Sequence, residues 1–466
     1  MKEKLSYKSI KLNADTLTPV GIFHRLTGTK KFLLESSFQH ERKGKYSFIG
    51  SNPYQEIIGH GHTTTVKDPI NETVETYHQE ALAYLKENLP RINTDLPLPF
   101  YGGAIGYIGY DAIRQFEDIG ETLPDEINMP DIHFMVYNEV IVYDHKNEVV
   151  TIIVLNPAQV AEEVIDERLQ QLQNALTAQA ADHTVSELKN VNFEPEMTEE
   201  VFKQKVETAK KHIQQGDIFQ VVLSQRMKAK MDGDPFSFYR KLRKANSSPY
   251  MFYIDFEDYL VLGASPESLV QTTGREIVTN PIAGTRARGK TLEEDRLLMK
   301  ELLADEKEIA EHRMLVDLSR NDLGRVCEIG SITIPTYMKV EKYQHVMHIV
   351  SEVHGKLRSD FTSLDALIAC LPAGTVSGAP KIRAMQIIND LEEKKRGVYA
   401  GGIGYINFNH DLNIALTIRS LVIKESVAYL QAGAGIVHDS VPEKEFAETL
   451  HKAKSLTEVN YFDFIN

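Results

Sequence analysis

Two pairs of glutamates in the second half of the sequence have the spacing expected of a divalent-cation site. Within each pair the two residues are three positions apart, so in a helix they project from the same face. Both pairs lie beside apolar residues that would face a protein core. Mg²⁺ prefers a few carboxylate oxygens together with water and substrate oxygens. The pattern is therefore compatible with a magnesium site formed by Glu308, Glu311, Glu445 and Glu448.

A purely structural interpretation of the same segments remains open at this point. Asp305 followed by Glu308, and Ser440 followed by Glu443, match the capping signature with which many helices begin. Mixed stripes of glutamate and lysine, which continue along the second segment, are usually solvated helix faces. From spacing alone, the acidic pairs are more typical of capped surface helices than of metal ligands.

Composition and charge argue against several other classes of function. The 466 residues include 52 basic and 66 acidic side chains, a formal charge of −14, which disfavours binding to nucleic acid. The two cysteines, Cys327 and Cys370, lie in no CxxC or Cys/His cluster, so neither zinc nor a disulfide scaffold is indicated. The longest aliphatic run, residues 149–155, is too short to span a bilayer, and no signal peptide is recognisable. We therefore expect a soluble cytoplasmic protein that does not bind membranes.

Short-range patterns predict strands and helices that would position these side chains. The apolar runs 139–144 and 148–155, separated by three polar residues, predict a β-hairpin. Residues 201–216 read as a helix that ends at a glycine. The segment GGAIGYI at 102–108 is similar to GGIGYI at 401–406, which indicates either related strands with close backbone approach or a chance likeness.

A polar stretch at residues 176–197 predicts a boundary within the chain. It separates an N-terminal region, residues 1–190, from a second region, residues 195–466. The strand-like runs of the second region lack the regular strand–helix alternation of a doubly wound fold. We therefore expect an α+β architecture of largely antiparallel sheets with helices outside them.

Seven sequence blocks occur in an order that is similar to that of one known family. The blocks are LGASPE (262–267), PIAGTRARGK (281–290), EHRMLVDLSRNDLGR (311–325), YQHVMHIVSEVHG (343–355), LPAGTVSGAPKIRAM (371–385), VYAGGIGYI (398–406) and QAGAGIVHDSVPEKEFAET (431–449). They run through most of residues 195–460 and resemble the chorismate-utilising enzymes. This family includes anthranilate, aminodeoxychorismate, isochorismate and salicylate synthases. The resemblance implies two antiparallel sheets packed together, in agreement with the class expected from the pattern.

The resemblance assigns the acidic pairs to a metal site. Glu311 and Glu448 match the magnesium-binding glutamates of the family, with Glu308 and Glu445 as neighbouring acids of the same cluster. It implies that Mg²⁺ holds the ring carboxylate of chorismate and polarises it as a Lewis acid. The cofactor expected from the resemblance is therefore Mg²⁺.

Further residues match the positions at which the family contacts its substrate. They are Gly284, Thr285, Tyr399, Arg419 and the backbone of Gly433, Ala434 and Gly435. Lys452 is a further, separate candidate for binding a carboxylate of the substrate. The chemistry agrees, because an arginine can bind a carboxylate through two N–H groups and small residues expose backbone N–H groups to an anion. Without the resemblance, Arg419 would read as a charge at a strand edge and QAGAG as a tight turn.

Two residues match the catalytic positions of the family. Glu267, in the SPE turn, corresponds to the general acid that protonates the departing 4-hydroxyl group of chorismate. His348 corresponds to a histidine implicated in catalysis by the anthranilate-forming members. A half-buried structural histidine in the VMHIV run is the alternative for His348.

The resemblance also bears on the nucleophile. Water-using members carry a lysine base where this sequence has Gln220, and a glutamine cannot deprotonate water. Many aminodeoxychorismate-forming members carry a nucleophilic lysine where this sequence has Ala283, although some have alanine there. The blocks PAGT, QAGAG and LSQ are more similar to the anthranilate-forming members. An aminodeoxychorismate-forming enzyme of folate biosynthesis is the alternative.

Blocks of the first region imply feedback control by L-tryptophan. FLLESS (32–37), KYSFIGSNP (45–53) and SSPYMFY (247–253) resemble the blocks around the tryptophan pocket of the anthranilate-forming members. The residues that would line this pocket are Ser36, Pro249, Tyr250 and Met251. Read alone, the same blocks are typical of a strand end and a buried strand. Many relatives have a proline at the position of Ser247, which leaves the geometry of the pocket loop open.

The resemblance implies a lyase of tryptophan biosynthesis that works with a partner. Ammonia would add to chorismate, and the resulting intermediate would lose pyruvate to give anthranilate. No amidotransferase nucleophile motif surrounds either cysteine of this sequence. The expected partner is therefore a separate glutamine amidotransferase subunit that supplies ammonia.

Overall fold

The computed structural model describes residues 7–36, 45–178, 191–246, 248–343 and 346–459. The strands of the first half are β1 (Tyr7–Asn13), β2 (Phe32–Glu35), β3 (Tyr46–Gly50), β4 (Gln55–His60), β5 (Thr63–Asp68), β6 (Thr73–Tyr77), β7 (Gly103–Ile108), β8 (Ile132–Tyr137), β9 (Glu139–Asp144) and β10 (Val149–Leu155). The strands of the second half are β11 (Glu194–Pro195), β12 (Gln220–Lys230), β13 (Tyr250–Asp255), β14 (Tyr259–Ser265), β15 (Ser268–Thr273), β16 (Glu276–Thr279), β17 (Ile282–Ala287), β18 (Thr333–Lys342), β19 (Val346–Lys356), β20 (Gly378–Ala379), β21 (Gly402–Asn407), β22 (Leu412–Leu416), β23 (Ser420–Lys424) and β24 (Val427–Ile436). The helices are α1 (Pro19–Arg25), α2 (Ala81–Asn88), α3 (Glu162–Thr177), α4 (Glu199–Gln214), α5 (Pro235–Ala245), α6 (Leu292–Ala304), α7 (Glu306–Gly324), α8 (Ser363–Cys370), α9 (Lys381–Leu391) and α10 (Pro442–Thr457). Short 3-10 turns lie at Tyr110–Gln115 and Gly374–Val376.

The strands form two large antiparallel sheets. The first has the order β1-β10-β9-β3-β2-β13-β14-β23-β24-β12-β11, with β20 also paired to β12. The second has the order β17-β19-β16-β15-β22-β21-β7-β8-β4-β5-β6, with β18 also paired to β19. The predicted hairpin at 139–155 is confirmed as β9 and β10, whose β-branched run lies in the first sheet.

The two sheets pack face to face, and helices cover their outer faces. Phe48 of the first sheet contacts Tyr405 of the second, with ring centroids 5.9 Å apart, within one continuous core. Helices α1, α3, α4, α5, α9 and α10 pack on the first sheet, and α2, α6, α7 and α8 on the second. The expected α+β class, with two packed antiparallel sheets and helices outside, is therefore confirmed. Among the described helices, none is both long and apolar enough to cross a membrane.

The two similar glycine-rich segments are neighbouring strands. β7 and β21 pair at the centre of the second sheet, with Gly106 opposite Gly404. A Cβ atom on Gly106 would lie 1.9 Å from the carbonyl oxygen of His133, and one on Gly404 would lie 2.1 Å from that of Asn413. The shared glycines therefore permit a backbone approach that any side chain would prevent.

This central pair marks a repeat in the topology. Across the second sheet, β7 is followed by β8, β4 and β5, and on the other side β21 is followed by β22, β15 and β16. In the first sheet, the strand order that starts at β2 corresponds in the same way to the order that starts at β13. The two halves of the chain thus have the same strand connectivity, and each half contributes to both sheets. The polar stretch at 176–197 lies between these halves and not between two separate sheets.

Local signals determine where the helices beside the site begin. The side chain of Asp305 accepts backbone N–H groups at the start of α7, including that of Glu308 at 3.3 Å, as the capping signature predicts. The capping prediction for Ser440 was wrong, because its hydroxyl accepts the N–H of Val437 and α10 begins two residues later at Pro442. Proline is favoured in a first helical turn because its missing N–H has no partner there in any case.

Candidate active site

Glu267 lies in the turn between β14 and β15, with its side chain buried. The hydroxyl of Thr375 donates to Oε1 of Glu267 at 2.9 Å, and the N–H of Leu416 donates to its carbonyl oxygen at 2.9 Å. Burial raises the pKa of Glu267 to about 8, against the lowering effects of the Thr375 bond and of the charge on Lys452. The carboxyl group therefore holds a proton at neutral pH, which is the property that a general acid requires.

A bulge in β17 brings Gly284, Thr285 and His348 together. Gly284 has a φ of +67°, a conformation that favours glycine, and the register of β17 against β19 shifts at this point. A Cβ atom on Gly284 would lie 3.2 Å from Oε2 of Glu308. Nδ1 of His348 lies 3.0 Å from the carbonyl oxygen of Gly284 and 3.1 Å from the hydroxyl of Thr285. The bulge therefore fixes the orientation of the imidazole ring.

The same contacts define the protonation of His348. Burial lowers its pKa, and the charge of Arg419 lowers it further, while the bond to the Gly284 carbonyl opposes both. Because a carbonyl oxygen can only accept, we assign the hydrogen of the neutral ring to Nδ1. Nε2 is then unprotonated and can accept a proton.

The four predicted metal ligands lie in one electrostatic cluster on α7 and α10. Burial raises the pKa of Glu311, and the charges of Glu308 and Glu448 raise it further. Burial also raises the pKa of Glu445, with Glu448 adding to the effect. Among the described residues, no three His, Cys, Asp or Glu side chains are close enough to hold a metal ion together. The four acids therefore lie close enough to affect one another's pKa, but they do not form a complete set of metal ligands in this structure.

Lys307 and Lys452 supply positive charge to this acidic cluster, and the contacts of Lys452 are direct. The Nζ of Lys452 lies 2.7 Å from Oε1 of Glu448 and donates to the carbonyl oxygen of Gly433 at 2.9 Å. The same charge lowers the pKa of Glu311 and of Glu445, so the ammonium group stands where a cation is favoured. Carboxylate oxygens that repel one another are also the donors that Mg²⁺ prefers. The residues present therefore fit the magnesium ion that the sequence resemblance implies.

Gly433, Ala434 and Gly435 lie within β24, paired with β12, and do not form a tight turn. Gly433 and Gly435 face the same side of the strand, since side chains alternate along it. A Cβ atom on Gly433 would lie 2.7 Å from the hydroxyl of Tyr399, and one on Gly435 would lie 2.9 Å from Nε2 of Gln220. The two glycines therefore allow Tyr399 and Gln220 to approach the backbone of β24.

Arg419 lies between β22 and β23 and is half-buried, so it is not a charge at an exposed strand edge. Its backbone is in the left-handed region, with a φ of +52°. Nη1 donates to the carbonyl oxygen of Lys452 and, at 3.1 Å, to the hydroxyl of Ser455. Burial lowers the pKa of Arg419, and the charges of Tyr399 and Glu448 oppose this effect. The guanidinium group thus lies beside the same helix as the acidic cluster.

The predicted inhibitor residues lie together where β2 ends beside the start of β13. Met251 is opposite Glu35 in this strand pair, and Ser36 follows directly. The hydroxyl of Ser36 is buried and has no hydrogen-bond partner among the described residues. Pro249 is buried and Tyr250 is half-buried. The four residues therefore lie close together at the centre of the first sheet.

Glu35 is a charged group at this place that the sequence did not single out. Its carboxylate is 7% exposed and accepts from the hydroxyl of Tyr239 at 2.9 Å, from Nε of Arg243 at 2.7 Å and from the hydroxyl of Ser47 at 3.2 Å. These bonds satisfy a buried charge that would otherwise be costly. Ser247, on which the geometry of the loop was expected to depend, lies outside the described residues.

Thr375 is a second residue that the sequence did not single out. It lies in the 3-10 turn at Gly374–Val376 and reaches Glu267 across 108 positions of the chain. It is part of the block LPAGTVSGAPKIRAM, one of the seven blocks on which the family resemblance rests. No local pattern shows which side chain of that block faces Glu267.

Comparisons with known proteins find matches over nearly the whole chain. The family described as chorismate binding enzyme matches residues 29–458. A protein from Lactococcus lactis named anthranilate synthase component 1 is 46% identical over 456 residues, which cover 96% of this chain and 98% of that protein. A protein from Bacillus subtilis named aminodeoxychorismate synthase component 1 is 40% identical over 447 residues, which cover 92% of each chain. The crystal structure of anthranilate synthase component I from Streptococcus pneumoniae is 42% identical, with a TM-score of 0.83, and the match covers 96% of this chain and 99% of that one. This chain therefore belongs to the family of chorismate binding enzymes.

Proposed function

We propose that this protein converts chorismate and ammonia to anthranilate and pyruvate, as a magnesium-dependent lyase of tryptophan biosynthesis. One observation carries this proposal. Burial raises the pKa of the acid Glu267 to about 8, and the chain has Gln220 at the position where the sequence resemblance places the lysine base of water-using relatives. Such a site can protonate a leaving hydroxyl group but cannot activate water, so it suits a nucleophile that needs no base.

The substrate is a dianion, and the site offers matching charge. Arg419 and Lys452 supply the positive groups, and the backbone of β24 at Gly433 lies beside Lys452. The bulge at Gly284 and Thr285 holds His348, whose pKa the charge of Arg419 lowers. A magnesium ion held by Glu311 and Glu448, with Glu308 and Glu445 beside them, would supply Lewis-acid polarisation of the ring carboxylate.

Two proton transfers are assigned to residues of this chain. In the first step ammonia forms a bond to C2 of chorismate, both ring double bonds shift, and the C4 hydroxyl leaves as water with the proton of Glu267. The attacking nitrogen, which becomes positively charged, then releases a proton to solvent. In the second step the proton at C2 is removed and the C3–O bond breaks, so the ring becomes aromatic and the side chain leaves as enolpyruvate, which takes up a proton at its CH2 carbon to become pyruvate. Nε2 of His348, unprotonated because Nδ1 donates to the Gly284 carbonyl, is the base that we assign to this step.

Ammonia is supplied by a partner in this proposal. The relatives from Lactococcus lactis and Streptococcus pneumoniae carry the designation component 1 or component I, which implies a second component. We propose a glutamine amidotransferase subunit, because the sequence contains no such nucleophile motif around Cys327 or Cys370, and both thiols are buried. The alternative reaction, in which the enolpyruvyl group is retained, is the second candidate, because one relative is named aminodeoxychorismate synthase component 1.

The test uses the purified chain with chorismate, Mg²⁺ and an ammonium salt, and follows the fluorescence of anthranilate. Anthranilate should form without a partner, because free ammonia replaces the amidotransferase. Glutamine in place of the ammonium salt is the control and should give no product. Absence of anthranilate with saturating ammonium would refute the proposed function.

We also propose that L-tryptophan inhibits the enzyme at the pocket beside Ser36 and Met251. The chain contains no tryptophan, so the emission of added L-tryptophan can be followed without protein background. The emission should shift on binding while anthranilate formation falls. Ser36→Ala should weaken binding about tenfold, because the buried hydroxyl would lose its bond to the ligand. Ser359→Ala, in an exposed turn, is the matched control, and unchanged emission with undiminished activity would contradict the proposal.

A further inference from the structure

A small cavity lies against Glu267. It is lined by residues of α7 and of the turn that carries Thr375. Its volume is about 30 Å³, and Glu267, Ser268, Thr279, Asp322 and Thr375 are among the residues that line it. A cavity that holds one water molecule needs roughly 10–15 Å³ of such space. The cavity therefore has room for at least one water molecule next to the carboxyl group of the general acid.

Two hydroxyl groups in this cavity need a hydrogen-bond partner. The side-chain oxygens of Ser268 and Thr279 are buried and have no partner among the described residues. Buried hydroxyl groups are nearly always hydrogen-bonded, because an unpaired one costs free energy. A water molecule between Ser268 and Thr279 would satisfy both, and it would lie in the same cavity as Glu267 and Thr375.

Asp322 is a titratable group in the wall of the same cavity. It lies on α7 with its side chain 13% exposed, and Nζ of Lys381 is 2.7 Å from its Oδ2. The other ionisable groups that face it are Arg325, which directly follows α7, and the thiol of Cys370 on α8. Burial raises the pKa of Asp322, against the lowering effects of Lys381 and Arg325. A half-buried carboxyl group beside water is suited to accept and release protons.

We propose that this cavity is the route by which Glu267 regains its proton between turnovers, with Asp322 as the proton-carrying group in its wall. The inference rests on the function proposed above, in which Glu267 loses a proton in every cycle. Glu267 gives its proton to the leaving C4 oxygen, which departs as water, and remains as a carboxylate. The attacking nitrogen becomes positively charged and releases a proton to solvent. Glu267 takes one proton back from the cavity water, which takes one from Asp322, which takes one from solvent, so charge and protons balance.

The decisive measurement separates the first turnover from later ones. Rapid-quench assays with Asp322→Asn, ammonium and Mg²⁺ should show one equivalent of anthranilate formed at the wild-type rate, because Glu267 begins protonated. Later turnovers should be about tenfold or more slower, since return of the proton becomes rate-limiting. A small buffer acid should restore the later turnovers of the variant and leave the wild type unchanged.

Two further variants keep the result interpretable. Thr279→Val preserves volume but removes one hydroxyl that binds the water, and it should give the same burst with a smaller loss. Asp317→Asn, on the solvent face of α7 with its side chain 69% exposed, is the matched control and should behave as the wild type. Equal slowing of all turnovers by both cavity variants would show a structural role, and no slowing by either would show that the proton returns from the substrate side. Either result would overturn the inference, whereas a wild-type enzyme that forms no anthranilate would refute the proposed function itself and the inference with it.

Discussion

Glu267→Gln is expected to lower kcat for anthranilate formation by about 10²–10⁴-fold while changing the KM for chorismate little. Glutamine keeps the size of the side chain and still accepts the hydroxyl hydrogen of Thr375, which is 2.9 Å from Oε1 of Glu267. It cannot give a proton to the departing C4 oxygen, and hydroxide is a poor leaving group. Initial rates with saturating ammonium and Mg²⁺ measure the effect. Glu276→Gln, at an exposed position at the start of β16, is the control and should retain full activity.

The pH dependence of the same step follows from the environment of Glu267. Because burial raises its pKa to about 8, the wild-type rate per concentration of free ammonia should fall as the pH rises through about 8. The residual activity of Glu267→Gln should lack this decline. The free energy of unfolding should also fall as the pH rises. A carboxyl group whose pKa is raised on folding stabilises the folded state fully below its ordinary pKa, and this contribution is lost as the pH rises towards 8. A variant with an unchanged alkaline decline would show that another group is the acid.

Glu311→Gln is expected to raise the Mg²⁺ concentration required for half-maximal activity by about 100-fold or more, or to abolish activity. The reason is that the proposed magnesium site would lose one of its expected carboxylate ligands. Activity titrations with Mg²⁺ at saturating chorismate measure the shift. Glu443→Gln on α10 removes an exposed carboxylate that is paired with Lys203 at 3.2 Å, and it should leave the Mg²⁺ requirement unchanged.

The same variant should be more stable than the wild type when no metal is added. Burial and the charge of Glu308 raise the pKa of Glu311, so its ionised form destabilises the folded state at neutral pH. A neutral glutamine removes this repulsion and should raise the melting temperature by roughly 1–3 °C. Added Mg²⁺ should stabilise the wild type and not the variant. A variant that is less stable without Mg²⁺, and still stabilised by it, would contradict the assignment of Glu311 to the metal site.

Much of the fold could be predicted because its signals are local. The hairpin of β9 and β10 follows from two apolar runs with a short polar break, and α7 begins where Asp305 caps it. The likeness of β7 and β21 was visible in the sequence, but their pairing is not a local property. Nothing in the sequence near residues 176–197 reveals that strands from both sides alternate between two shared sheets.

In the candidate site, too, features set by neighbouring residues could be predicted, whereas contacts between distant segments could not. Helix spacing grouped Glu308 with Glu311 and Glu445 with Glu448, but only the resemblance to a family favoured metal binding over surface capping. Contacts between distant segments could not be predicted, because they depend on how the two sheets and their helices pack. The bond of Thr375 to Glu267 is one such contact. The wrong prediction at Ser440 has a local cause, since two helix-start signals lie side by side and Pro442 determined the outcome.

The most direct test of the proposed function is the amount of pyruvate released per anthranilate formed. The purified chain is incubated with chorismate, Mg²⁺ and an ammonium salt, and both products are quantified in the same samples. The proposed function predicts equal amounts of pyruvate and anthranilate at every time point. Consumption of chorismate to an aminated product that retains the enolpyruvyl group, with no pyruvate released, would contradict it and support the aminodeoxychorismate-forming alternative.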